Sequence, residues 1–170
     1  MLTQKQQDYL ETIPDNRVAQ IAPFNPDVQK TAHNIISEIE SVLPSLKVTY
    51  LGSSKLGIAG ENDIDLNILS GDDFHAALPI LTKLFGEPTK VKMDKKNVRG
   101  EFIRDGFPVE IHVADVITPS LQERMDTQKI LENDKELLKE YEQLKLQSNG
   151  LPWREYQKRK YEFWNKILGL

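Results

Sequence analysis

The sequence predicts an α/β (α+β) fold, a mixed sheet of about five strands flanked by helices and followed by a C-terminal helical segment. Three observations predict it. Between residues 46 and 113, short runs alternate apolar and polar side chains, the period of half-buried strands. A long helical stripe precedes those runs, and a second helix interrupts them. Beyond Pro119 the period is helical, broken at Asn149-Gly150.

Residues 3 to 12 suit a short accessory helix capped by Thr3 and ended before Pro14. Asn25-Pro26 reads as a cap and first helical residue. The stripe Val28, Ala32, Ile35, Ile36, Ile39 and Val42-Leu43 then forms one face of a helix that Pro44 stops. Leu46 to Leu51 and Asp63 to Leu69 read as strands on either side of a glycine-serine turn. Asp72-Asp73 caps a helix from Phe74 to Phe85 that Gly86 and Pro88 close. Lys90 to Met93, Val98 to Asp105 and Phe107 to Val113 are further strands, joined by turns at Lys95-Lys96-Asn97 and Asp105-Gly106. Three helices complete the chain: Pro119 to about Glu132, Lys135 to Gln147, and Trp153 to Leu168.

This organisation implies one domain over residues 1–170, with a core over about 26–115 and C-terminal helices over about 118–169. With 170 residues, 39% hydrophobic and 28% charged, the chain can bury one real core, and two would be cramped. A net charge of −4 argues against a broad non-specific nucleic-acid surface, which needs many Lys and Arg contacts to phosphates. No cysteine is present, which removes disulfides, thiolate metal sites and thiol nucleophiles. The N-terminus has no apolar signal core, and no window approaches the ~18 apolar residues of a membrane span, so a cytoplasmic protein with no membrane partner is expected.

The chemistry concentrates between Tyr50 and Leu69. Asp63, Asp65 and Asn67 alternate with Ile64, Leu66 and Ile68, so the apolar set enters a core while both carboxylates project from the other side. Two carboxylates held together repel unless a cation neutralises them, and Mg²⁺ is commonly held by one or two carboxylates with substrate phosphate oxygens. Mg²⁺ or Mn²⁺ is therefore the expected cofactor. Upstream, Gly52 lets backbone approach a ligand closely, and Ser53 and Ser54 offer hydroxyls and N–H groups at the start of a short helix, which suits a phosphate. Simple turn geometry accounts equally well for Gly52 and Gly57 taken alone.

Gly52-Ser53, Gly57 and Asp63-Ile64-Asp65-Leu66 resemble the signature of the DNA polymerase β-type nucleotidyltransferase superfamily. Within it the chain is most similar to the GrpB-like family, a likeness that extends to Tyr141, Leu144-Lys145, Tyr156, Lys160 and Phe163 in the closing helices. The two segments span most of residues 45 to 170. The chain departs from the GrpB-like pattern in its turn, where Lys55-Leu56-Gly57 replaces an Ala-Val-Pro-Gly-like sequence, and in carrying both aspartates. It thereby looks nearer to the catalytically equipped form of the superfamily.

The resemblance implies a third acid on a later strand. Glu110 is the first choice, because Val109, Ile111 and Val113 take the apolar face and leave Glu110 and His112 on the other. Glu101 is the runner-up, followed by Asp105 and Asp115. Asp63, Asp65 and Glu110 would then be both catalytic residues and metal ligands, with Gly52, Ser53, Ser54, Lys55, Lys145 and Lys160 binding the nucleotide. Arg99, Arg104, Arg124 and Lys129 could also meet phosphates, although such charges usually form solvated faces. His112 reads as hydrogen-bonded structure, and His33 and His75 have no visible partners. The Tyr156-to-Tyr161 run could grip RNA or a base, but one packed helix face explains it more simply. The activity implied is transfer of a nucleoside monophosphate from an NTP to a hydroxyl on RNA, protein or a small molecule. The alternative is a catalytically silent binding or interaction domain of the same fold, which a buried or salt-bridged Glu110 would favour.

Overall fold

The computed structural model describes residues 1–170. Its centre is a five-stranded sheet of β1 (Lys47–Leu51), β2 (Ile64–Leu69), β3 (Lys90–Lys92), β4 (Asn97–Arg104) and β5 (Phe107–Ala114), in the order β1-β2-β5-β4-β3. The sheet is mixed. β2 and β5 run parallel, because α4 (Phe74–Phe85) and the β3–β4 hairpin carry the chain between them, and the remaining pairs are antiparallel. The β4–β5 hairpin closes through Asp105 and Gly106 at φ 54° and 84°. Two successive positive φ values give the turn sense that matches strand twist.

The period-two pattern sorts the sheet into two chemically different faces. Ile64, Leu66 and Ile68 of β2 and Val109, Ile111 and Val113 of β5 are all buried in the main core, where α2 (Asp27–Val42) and α4 cover them. Val28, Ala32, Ile35 and Ile39, the buried face of α2, are each fully buried. A buried Val or Ile is worth roughly 1.5–3 kcal/mol, so this layer fixes the sheet's register. A one-residue slip of β2 would put Asp65 into the core.

The opposite face carries Asp65, Glu110 and His112. Four further helices stand by it: the four-residue α3 (Ser53–Leu56), α5 (Pro119–Asn133), α6 (Lys135–Gln147) and α7 (Trp153–Leu168). Their cores are separate and smaller, with Ile58, Leu131, Tyr141 and Phe163 in one and Ala19, Ile21, Ala59 and Tyr156 in another. Thr3 caps α1 (Gln4–Glu11) reciprocally with Gln6. The stretch after α1, without a regular element in the sequence reading, is tied down at Val18 to Pro152 and at Ala22 to Gly60.

Boundaries differ from the sequence reading where backbone pairing ends. β1 starts at Lys47, and β2 at Ile64, which leaves Asp63 just ahead of the strand. β3 stops at Lys92 because Met93–Lys95 turn into a 3₁₀ helix ended by Lys96 at φ 40°.

Candidate functional site

One cleft of about 830 Å³ opens between the polar sheet face, α5, α7 and the segment after α1. Strand register brings two acids together at its floor, since Asp65 pairs with Glu110 across the parallel β2–β5 ladder. Neighbouring strands lie about 4.7–4.9 Å apart, so side chains paired on one face are immediate neighbours. Glu101 continues the row on β4 opposite Glu110. The ligand atoms of Asp65, Glu110 and His112 all lie within 4.8 Å of one another. Asp63 lines the same cleft but stands outside that cluster, its carboxyl pushed up to about 6 by burial and by the charges of Glu61 and Asp65.

Cations already balance the floor. Arg124 of α5 pairs with Asp65, while Arg99 of β4 pairs with both Glu101 and Glu110. His112 Nε2 hydrogen-bonds the second Glu110 oxygen, and the Asn67 amide donates to Asp65 at 3.2 Å. Burial alone would raise the Glu110 pKa, but His112, Arg99 and Arg124 outweigh it and hold the carboxyl below its ordinary range. Two carboxylates and an imidazole form a donor set that fits Mn²⁺ and, through its oxygens, Mg²⁺.

The turn divides its residues between cleft and frame. Gly52, at φ 98°, and Ser53 line the cleft. The Gly52 N–H is taken by the Gln128 side chain of α5 at 3.1 Å. Ser54 is fully buried, and its hydroxyl donates to the Asp63 carbonyl at 2.5 Å, so it shapes the turn from behind. Lys55 is exposed, on a helix too short for its peptide dipoles to sum to much. Gly60 carries a demand that the sequence reading did not single out. A Cβ there would stand 2.1 Å from Ser53 Oγ and 2.8 Å from Ser53 Cβ, so only glycine lets the second arm of the turn seat Ser53.

The two lysines behave differently. Lys145 is buried, bonded to Glu61 at 2.8 Å and to the Tyr156 hydroxyl at 2.5 Å. Burial disfavours its charge, yet Tyr141, Glu61 and Asp63 outweigh burial and raise its pKa. Lys160 lines the cleft with no carboxylate in ion-pair reach, its ammonium 5.1 Å from the Trp164 ring centroid, and burial lowers its pKa to about 8.

The other sequence candidates face elsewhere. Asp105 accepts from Thr31 at 3.0 Å, Asp115 pairs with Lys96 at 3.5 Å, and Arg104 pairs with Glu38 at 3.1 Å. Gln128, Glu61 and the Arg17 segment were missed. They come from distant stretches with no local pattern, and only tertiary packing brings them to the cleft.

Residues 18–169 match the sequence profile of the GrpB protein family. The chain belongs to the GrpB family. GrpB proteins form a DNA polymerase β-like nucleotidyltransferase-type family. The crystal structure of a conserved GrpB protein from Enterococcus faecalis has the same fold, with a TM-score of 0.64 at 14% identity, covering 87% of this chain and 99% of that one. A chain of the GLD-2/RNP-8 complex aligns at a TM-score of 0.38 and 18% identity, covering 81% of this chain and 60% of that one. No curated protein sequence matches the chain. The mixed five-stranded sheet with its flanking helices is consistent with the fold of that GrpB structure. No helix is long and apolar enough to cross a membrane.

Proposed function

We propose that this GrpB protein is a metal-dependent nucleotidyltransferase that moves a nucleoside monophosphate from an NTP to a hydroxyl acceptor. The supporting observation is the register of Asp65 with Glu110 on adjacent parallel strands, in one cleft with Asp63 and the Gly52-Ser53 turn. A bound Mg²⁺ or Mn²⁺, held by Asp65 and Glu110 with Asp63 or His112 beside them, would neutralise charge developing on the phosphates and lower the pKa of the attacking hydroxyl. Ser53 and the unpaired Lys160 offer an O–H and an ammonium to phosphate oxygens. Arg99 and Arg124 sit against the acids and within the same cleft, so they hold Asp65 and Glu110 in place, and beside His112 they keep the Glu110 carboxyl below its ordinary range. RNA, a protein and a small molecule all supply the required acceptor hydroxyl.

A second reading, a nucleotide-binding domain without turnover, is favoured by the ion pairing of both acids. Measuring Mg²⁺-dependent pyrophosphate release from a panel of labelled NTPs separates the two. The transferase reading expects release that Asp65→Asn abolishes, and Glu110→Gln should lower kcat while leaving nucleotide affinity nearly intact. Saturable nucleotide binding without release, in the presence of each acceptor class, would establish the silent domain.

A further inference from the structure

We propose that the cleft wall formed by α7 and the segment after α1 is a subsite for an adenine base. This rests on the nucleotide-binding reading of the same cleft. Trp153, Gln157, Lys160, Tyr161 and Trp164 all line it, at helical spacing i, i+4, i+7, i+8 and i+11, so a single face of α7 presents aromatic rings interleaved with an amide and an amine. From the facing segment, the Arg17 guanidinium lies over the Trp153 ring at 3.8 Å from its centroid. A wall of this kind binds a flat π-system, because stacking on aromatic and guanidinium planes needs no particular charge.

Two further observations point to a ligand with hydrogen-bonding edges. Gln157 is only 3% exposed and lines the cleft, yet its side-chain amide makes no hydrogen bond within the protein. The indole N–H of Trp153 and the Thr127 hydroxyl, both on cleft-lining residues, are buried without partners. Leaving such groups unmade costs roughly 1–3 kcal/mol each, a cost that a bound base with its own donors and acceptors would relieve. An amide presents one donor and one acceptor side by side, the complement of adenine's paired acceptor and amino group. Guanine and uracil present a carbonyl acceptor where adenine has its amino donor, and cytosine repeats the acceptor–amino pair on one ring instead of two, so it stacks over less area. The phosphates of the same nucleotide would then extend toward Ser53 and the acid row, which share the cleft.

The test uses nucleosides, which carry no phosphate, and intrinsic fluorescence, since the chain's two tryptophans both line the cleft. Adenosine, guanosine, cytidine and uridine are titrated without metal, and inorganic tripolyphosphate is titrated separately with Mg²⁺. The subsite predicts saturable quenching by adenosine, at least about fivefold tighter than by guanosine or uridine and tighter than by the single-ringed cytidine. Gln157→Leu should weaken adenosine at least tenfold, with an unchanged melting temperature and unchanged tripolyphosphate binding. If that variant melts early, the wild-type ranking of the four nucleosides decides alone. Cytidine bound as tightly as adenosine, equal binding of all four, or binding of none while tripolyphosphate binds, overturns the adenine subsite and leaves the transferase reading standing. Failure of both nucleosides and tripolyphosphate overturns both.

Discussion

Lys160 shows how position decides what a charged residue can do. Its ammonium is packed over the Tyr156 and Trp164 rings with no carboxylate in ion-pair reach, and burial lowers its pKa to about 8. A phosphate ligand binds the ammonium form, so affinity for an NTP should fall as pH rises through about 8, with a limiting slope of about tenfold per unit for one proton. In Lys160→Met the affinity should be lower and flat between pH 7 and 9, as read by calorimetric titration at constant Mg²⁺. A slope that survives the substitution would place the titrating group elsewhere. The same shift acts on stability with a definite sign. Between about 8 and the ordinary lysine value, the unfolded chain binds more protons, so Lys160 makes stability rise with pH there. The closing-helix resemblance singled out Lys160, which the fold places in the cleft lining. Ser54 offers the same hydroxyl as Ser53, but in a one-turn helix adjacent residues point in different directions, so neither Ser54 nor Lys55 shares the place of Ser53 in the cleft lining.

The helices α6 and α7 and the loop before β2 converge on the Lys145–Glu61 pair. Lys145 is 4% exposed and Glu61 21%, and Tyr156 completes the triad. Burial opposes both charges, but Lys145 and Lys160 hold the Glu61 pKa below its ordinary value, while Tyr141, Glu61 and Asp63 raise that of Lys145. Glu61 therefore contributes stability above its unfolded pKa that is lost as pH falls through the folded value. Lys145 contributes stability below its own unfolded value that is lost as pH rises through the folded one. Removing one partner strands the other. Lys145→Met should cost about 3–5 kcal/mol in denaturant unfolding, whereas adding Glu61→Gln to it should recover a large part, because the pair's desolvation largely offsets its attraction. If the double substitution were as damaging as the single one, the ion pair would not be the source of the loss. The strands and long helices were legible, since alternation and 3.6-residue stripes are local. The pairing of Lys145 with Glu61, 84 positions apart, leaves no trace in either period.

At the scale of the whole molecule, sequence periodicity located the sheet and its polar face but not the wall that turns this face into a cleft. Asp65 and Glu110 were readable because each sits in an alternating run, and the parallel register then sets them opposite each other. The segment from Ile13 to Ala22 has no period to read. It is ordered by partners remote in sequence: Arg154 donates to the Leu10 and Ile13 carbonyls at 2.9 and 2.7 Å, Ala19 N–H to Leu151 at 2.9 Å, and Ala22 pairs with Gly60. Leu10, Ile13, Ala19 and Ile21 are all buried, and Ala19 and Ile21 share a cluster with Ala59 and Tyr156. Deleting residues 1–22 therefore strips apolar cover, worth roughly 1.5–3 kcal/mol per fully buried Leu or Ile, from α7 and from the turn that seats Ser53. It also removes Arg17 and Gln20 from the cleft wall. The main core lies beyond this segment, on the far side of the sheet. The truncated chain should thus keep its sheet and α2 by far-ultraviolet circular dichroism and melt well below the intact protein. Its affinity for NTP should fall by more than tenfold. Retention of both melting temperature and affinity would show the segment to be a passive cover, and complete loss of secondary structure would show that the sheet layer cannot stand without it.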